Sequence, residues 1–117
     1  MDTFGSFGVE IDEVLDWDDG PSLFTGHDLS GRRYLAVQVT STSTERRWLL
    51  AAISQLALRY VLAGRAELRD AFRHTPTGFV ETIRMDRSGR ATQSVRLCAD
   101  LSEDDLPEAG ERLALVA

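Results

Sequence analysis

The chain has no lysine: all thirteen of its basic residues are arginine. That excludes a Walker A phosphate loop, whose lysine holds the phosphates. It also excludes Schiff-base chemistry and lysine general bases. Cysteine occurs once, at Cys98, so no internal disulfide can form. A reducing cytoplasm is the expected location. Long apolar runs are missing too. The longest, around Trp48 to Ile53, is far too short to span a bilayer. The opening Met1-Asp2-Thr3 has neither the basic nor the apolar region of a signal peptide.

Chemistry-bearing residues are equally sparse. One cysteine and two histidines cannot close a zinc site without two carboxylates, so no metal is expected. A loop starting at Asp16, with Asp18 and Asp19 after it, has Pro21 and His27 where a calcium loop needs Gly and Glu. Cys98 with His27 or His74 would make a thiol dyad only if the fold joined them. A strand position is expected for Cys98, on the face of Ser94, Arg96 and Asp100, with no helix start to lower its pKa. Gly5 and Gly8 form no dinucleotide-binding fingerprint. No catalytic residue and no cofactor is expected.

What is present is the composition of a globular protein, 43% apolar and 27% charged over 117 residues. That length suits one domain, which buries roughly 65% of its unfolded surface. The expected unit is 1–117, with 1–8 a loose lead-in. The net charge of −6 is unevenly laid out. Residues 1–31 hold eight acids and no arginine, residues 32–97 hold twelve arginines and five acids, and residues 98–117 hold six acids and one arginine. Two acidic ends flank a basic middle. Either the ends pack beside the middle and neutralise it, or one arginine-rich face stays open to an acidic partner.

The pattern predicts strands, then two short helices, then strands. Val9 to Trp17 reads as an irregular strand. "DDGP" at 18–21 is a turn, and "SLFTG" a second strand. "HDLSGR" turns again into "RYLAVQV", with Leu35, Val37 and Val39 on one face and Tyr34, Ala36 and Gln38 on the other. "RRWLLAAI" is a fourth strand or the start of a helix. Ser54 suits an N-cap, Leu58, Val61 and Leu62 follow helical spacing, and Gly64 suits a C-cap. "AELRDAF" buries Leu68, Ala71 and Phe72. "FVETIRM" and "TQSVRLCADL" form a hairpin across "DRSGRA". An acidic turn, Pro107 and a short apolar strand finish the chain. The fold class is α+β: a mainly antiparallel sheet of about five to six strands with two short helices on one face.

The stretch "DGPSLFTGHDLSGRRYLAV", then "ISQLALRYVLAGRAELRDAF" and "DLPEAGERL", resembles a family of small uncharacterised bacterial domains. Its members share a D-G-P-x-L-F-T-G-x-D-x-x-G-x-x-Y-L-A hairpin, an L-x-x-G-x-x-x-L-R-D-A segment and an L-P-x-x-G end. The resemblance runs from about Val14 to Leu113. It implies a fold and no activity.

Five residues stand out as candidates for contact with a partner. On one continuous helix, Arg65, Arg69 and Arg73 would form a stripe opposite Leu68 and Phe72. That stripe is either solvated and paired with Glu67 or Asp70, or open to an anionic partner. Trp17 and Asp18 close the first strand, where an exposed aromatic would anchor an interface. The expected function is non-enzymatic: an accessory subunit, antitoxin-like or immunity-like, that binds another protein encoded nearby. The alternative is a nucleic-acid-binding accessory using an arginine-rich face. Against it stand a pI near 4.8 and the lack of a reading helix or aromatic platform.

Overall fold

A computed structural model describes residues 8–17 and 20–112. Six strands form one antiparallel sheet in chain order: β1 (Glu10–Trp17), β2 (Pro21–His27), β3 (Arg33–Ser41), β4 (Glu45–Ala52), β5 (Phe79–Asp86) and β6 (Ala91–Leu97). Between β4 and β5 lie α1 (Gln55–Leu62) and α2 (Leu68–Arg73). After β6 come two 3-10 turns, Cys98–Asp100 and Glu103–Asp105. The fold is the α+β arrangement that the sequence predicts. "RRWLLAAI" resolves as strand. The apolar strand expected at the end of the chain falls on 113–117, outside the described residues, as do Asp18 and Asp19 of the predicted turn.

Strands buried on one face alternate apolar and polar residues, whereas strands buried on both read as continuous apolar runs. Strand β4 is of the second kind. Leu49 and Ala51 join Leu23, Leu35, Val37 and Val80 on one face, where Leu58, Val61, Leu68 and Phe72 from the helices close the core. Trp48 and Leu50 point the other way and pack with Val9, Phe24, Ala36 and Ile83. Among the described residues this second core is built without any helix. Its buried indole is satisfied: Trp48 Nε1 donates to the Pro21 carbonyl at 3.0 Å.

Pairing register shows where the helix-free face opens. Phe24, Ala36, Leu50, Glu81 and Val95 form one row across β2 to β6. The first three are buried, Glu81 is half-buried, and Val95 is exposed. Burial holds the Glu81 carboxyl above its ordinary value, and the charge of Asp28 adds to this while a hydrogen bond from Gln93 opposes it.

Edge strand β1 runs close to its neighbour. A Cβ added at Gly26 would lie 2.6 Å from the Glu10 carbonyl oxygen, so only glycine fits beneath β1 there. This gives a physical reason for the glycine of "LFTG". β1 breaks register three times, carries Glu10, Asp12, Glu13 and Asp16, and holds His27 between Glu10 (3.2 Å) and Asp12 (2.7 Å).

Two hairpin turns share one design. In "DLSGR" the Asp28 carboxylate accepts from Ser30 N–H, Ser30 Oγ and Arg32 N–H. In "DRSGR" Asp86 accepts from Ser88 N–H, Ser88 Oγ and Arg90 N–H. Gly31 and Gly89 take φ of 85° and 86° at matching places. The shared pattern, D-x-S-G-R, is only five residues long. These bonds hold both carboxyls below their ordinary value, with the serine hydroxyl the largest cause in each. Asp28 also accepts from the Tyr34 hydroxyl at 3.2 Å.

Two outcomes follow. Asp28→Ala is expected to lower the melting temperature more than Asp86→Ala, because it also strips the partly buried Tyr34 hydroxyl of its acceptor. Thermal melts of the two variants check this. For Glu81 the folded pKa lies above the unfolded one. Its contribution is therefore fully present below the unfolded pKa and is lost as pH rises through the folded pKa. Glu81→Gln should raise the melting temperature near pH 7 and leave it nearly unchanged near pH 4. An equal effect at both pH values would show that burial of this carboxyl costs nothing.

Candidate partner-binding cleft

Helix α1 begins where Ser54 Oγ accepts the Ala57 N–H at 3.1 Å. It ends in a Schellman motif. Gly64, at φ 71°, donates to the Val61 carbonyl, and Arg65 N–H reaches back to the Tyr60 carbonyl. Leu58 and Val61 face the core, while Leu56 and Tyr60, four residues apart, stand exposed. The chain then turns into α2, leaving a cleft of about 260 Å³ between the helices. Ala57, Tyr60, Ala66, Ala71 and Pro76 line it, with Ser54, Asp70 and His74 among its polar residues. Small-molecule sites usually span roughly 300–1,000 Å³, so this cleft suits one inserted side chain better than a cofactor.

A larger hollow of about 590 Å³ lies by Val9, His27, Asp28 and Leu29. Its polar groups are already engaged, His27 by Glu10 and Asp12, and Asp28 by Ser30, Arg32 and Tyr34.

The predicted arginine stripe does not form. Arg65 is the residue after Gly64 and belongs to neither helix, because the Schellman turn interrupts the spacing. Arg69 is only 6% exposed and ion-pairs with Glu103 of the second 3-10 turn. It is a core residue. Arg65 and Arg73 are exposed and form no ion pair among the described residues. They adjoin the lining residues Ala66 and His74 in the chain. Trp17 is 67% exposed, as an anchor must be, but stands on β1, on a different element from the arginines. Asp18 lies outside the described residues.

The acidic segment after β6 neutralises part of the basic middle. Asp105 pairs with Arg96 at 3.0 Å and meets Arg47 at 4.0 Å. Ser102 and Asp105 form a capping box. The Ser102 N–H, with Arg96 adding, holds the Asp105 carboxyl below its ordinary value. Arg96 also donates to the Asp100 carbonyl at 2.8 Å. Of the two layouts left open by the sequence, neutralisation by the C-terminal acids accounts for Arg69, Arg96 and Arg47.

Cys98 is not in a strand. Its N–H bonds the Gly78 carbonyl, and the chain then tightens into a 3-10 turn that packs the side chain against the helix-side core. His27 is held by acids at the β1 edge, so no contact among the described residues assembles a thiol dyad with it. Among the described residues no group of three or more His, Cys, Asp and Glu is arranged to hold a metal ion. No helix among them is long and apolar enough to cross a membrane. Sequence reasoning missed Leu56 and Tyr60. A helical wheel places both off the Leu58–Val61 face, which was the signal available.

The profile of a family of unknown function, DUF6575, matches residues 4–114. The chain belongs to that family. The match is wider at the N-terminal end than the hairpin-to-tail resemblance, and it takes in the strands, both helices and both 3-10 turns. No curated protein and no solved structure matches the chain. What this DUF6575 domain does is therefore to be read from its own residues.

The arginines separate by substitution. Arg69→Ala should cost about 2–4 kcal/mol, since breaking a buried pair also removes its packing. Glu103→Ala should cost a similar amount although Glu103 is 73% exposed, because it leaves the buried guanidinium uncompensated. Arg65→Ser and Arg73→Ser should each stay within about 0.5 kcal/mol. Urea titrations of the four variants decide it.

Proposed function

We propose that this DUF6575 domain is a non-enzymatic accessory subunit that binds another protein, in the manner of an antitoxin or immunity subunit. The cleft between α1 and α2 is the binding surface. One observation carries the reading: exposed Tyr60 lines an apolar cleft of side-chain size, Leu56 stands exposed four residues before it on α1, and Arg65 and Arg73 near the cleft are not neutralised by any acid among the described residues. Apolar anchors in pockets, ringed by charge, are the usual energetic centre of an interface. The partner inserts an apolar side chain and presents acids to the two arginines. Trp17, on β1, forms no part of this surface. Partner and subunit meet in the cytoplasm, where a single cysteine stays a thiol, and the partner is encoded nearby.

Nucleic-acid binding is less well supported. Arg47, Arg69, Arg84 and Arg96 are each within ion-pair distance of an acid of this chain, which takes these four out of any basic stripe for phosphates.

The test is capture by the tagged chain of proteins encoded beside it, followed by binding kinetics at low and high salt. Leu56→Asp with Tyr60→Asp should abolish capture while leaving the melting curve close to that of the parent. Arg65→Ser with Arg73→Ser should slow association and weaken its salt dependence. Unaltered capture by the Leu56/Tyr60 variant would refute the cleft as the binding surface. A salt-dependent gel shift with a short duplex would favour the nucleic-acid reading instead.

A further inference from the structure

The sheet has two edges, and among the described residues only one is guarded. Unpaired strand edges are templates for further pairing, and proteins blunt them with charge, proline or bulges. β1 carries four acids and three breaks in register. β6 has no proline, no acid and no bulge, and pairs β5 through seven consecutive residues. Six of its seven residues are exposed.

Its hydrogen-bond phase follows from two flanking bonds. Asp86 N–H donates to the Arg90 carbonyl and Cys98 N–H to the Gly78 carbonyl. In an antiparallel pair such bonds recur at every second residue. Thr92, Ser94 and Arg96 therefore turn their backbone toward β5, and Ala91, Gln93, Val95 and Leu97 turn theirs outward. None of the outward groups has a partner among the described residues. Beside them Phe79, Val95 and Leu97, each about half exposed, lie on the helix-free face, with Phe79 directly opposite Leu97.

We propose that the occupant of this edge is a second copy of the chain, paired antiparallel through β6 about a two-fold axis at Ser94. The result is one continuous sheet with six strands from each copy. The register is self-complementary. Val95 lies opposite Gln93 of the second copy, and Leu97 opposite its Ala91. These are the outward-facing residues, so every free backbone group from 91 to 97 closes at once. On the other face Arg96 lies opposite Thr92 of the second copy, and Ser94 opposite Ser94, so no like charges oppose.

Charge complementarity selects the antiparallel direction. β6 starts at a basic turn, with Arg87 and Arg90, and runs into an acidic segment whose Asp100 and Asp104 form no ion pair among the described residues. Antiparallel pairing sets the basic end of each copy beside the acidic end of the other. Parallel pairing would set like against like. A two-fold contact makes both matches with one surface patch. The α1–α2 cleft plays no part in it, so this inference stands apart from the proposed partner binding.

The experiment measures the mass of the full chain by sedimentation across the accessible concentration range. A monomer–dimer equilibrium is expected. Val95→Lys puts a charge on the edge, and Gln93→Pro removes an outward donor without touching the β5 ladder. Both should shift the equilibrium at least tenfold toward monomer, while the parent melting curve is kept. Leu56→Asp should leave the dimer intact. In a Cys98→Ala background, Ser94→Cys should cross-link to a dimer on mild oxidation and Thr92→Cys should not, because only position 94 meets itself. A parent chain that stays monomeric throughout overturns the proposal. So does a dimer that survives both edge variants, or one that cross-links through position 92 and not 94.

Discussion

Strand β4 places Leu49 and Ala51 on one side of the sheet and Trp48 and Leu50 on the other, and all four are buried. This two-sided burial is the constraint on which the rest depends. A sheet apolar on both faces needs cover on both. Among the described residues helices cover only one. α1, α2, Cys98, Leu101 and Leu106 cover that side, so the helix-side core is a joint product of the middle of the chain and the segment after β6. On the other side strand residues and Val9 pack with one another, and the cover thins toward β5 and β6. Bulges in β1 add local twist, which suits a sheet that must shelter its own face. The exposed row of Phe79, Val95 and Leu97 is where that shelter ends.

The helix-side cover brings arginine with it. Arg69 lies on α2 between Leu68 and Phe72, and packing those two carries it inward. A buried guanidinium is tolerated only with a counter-charge and hydrogen bonds. Glu103 provides the charge, and it does so from a 3-10 turn anchored by Leu101 and Leu106 in the same core. The Ser102–Asp105 capping box fixes that turn, and Asp105 then engages Arg96 and Arg47. The acidic segment is thus a structural counter-ion. Counting arginines without locating the acids overstates the basic surface, which around the helices comes down, among the described residues, to the unpaired Arg59, Arg65 and Arg73.

Much of this is legible in the sequence. Alternation fixes β3, two turn motifs set the hairpins, and Ser54 and Gly64 bracket α1 because capping chemistry is local. What failed depended on distant partners. The Arg65–Arg69–Arg73 spacing presumes one helix, yet the glycine that correctly ends α1 also takes Arg65 out of the pattern. Whether Arg69 faces water or core turns on Glu103, 34 residues on. Cys98 continues the alternation of β6 on paper. The ladder still reaches its N–H, which donates to the Gly78 carbonyl just before β5, but Cys98 to Asp100 tighten into a 3-10 turn and end the strand. Leu56 and Tyr60 were visible on a wheel, but apolar residues in a short helix are ordinarily read as core.

The two D-x-S-G-R turns separate what is local from what is not. Both form the same bonds to Ser and Arg N–H with nearly the same glycine φ, so five residues suffice to specify the turn. Their surroundings differ. Asp28 sits under Tyr34, whose hydroxyl it accepts, and its charge reaches Glu81 across the helix-free face. Asp86 has no such neighbour and leaves Arg87 and Arg90 projecting from the end of β6. One turn is tied into the sheet and helps raise the pKa of the half-buried Glu81 carboxyl. The other opens at the unguarded edge and marks its basic end. The same asymmetry runs through the whole sheet, from the acidic, bulged strand β1 to the regular, uncovered strand β6. An edge kept straight, apolar on one face and charged oppositely at its two ends has the features that strand pairing uses. The opposite edge has those that prevent it.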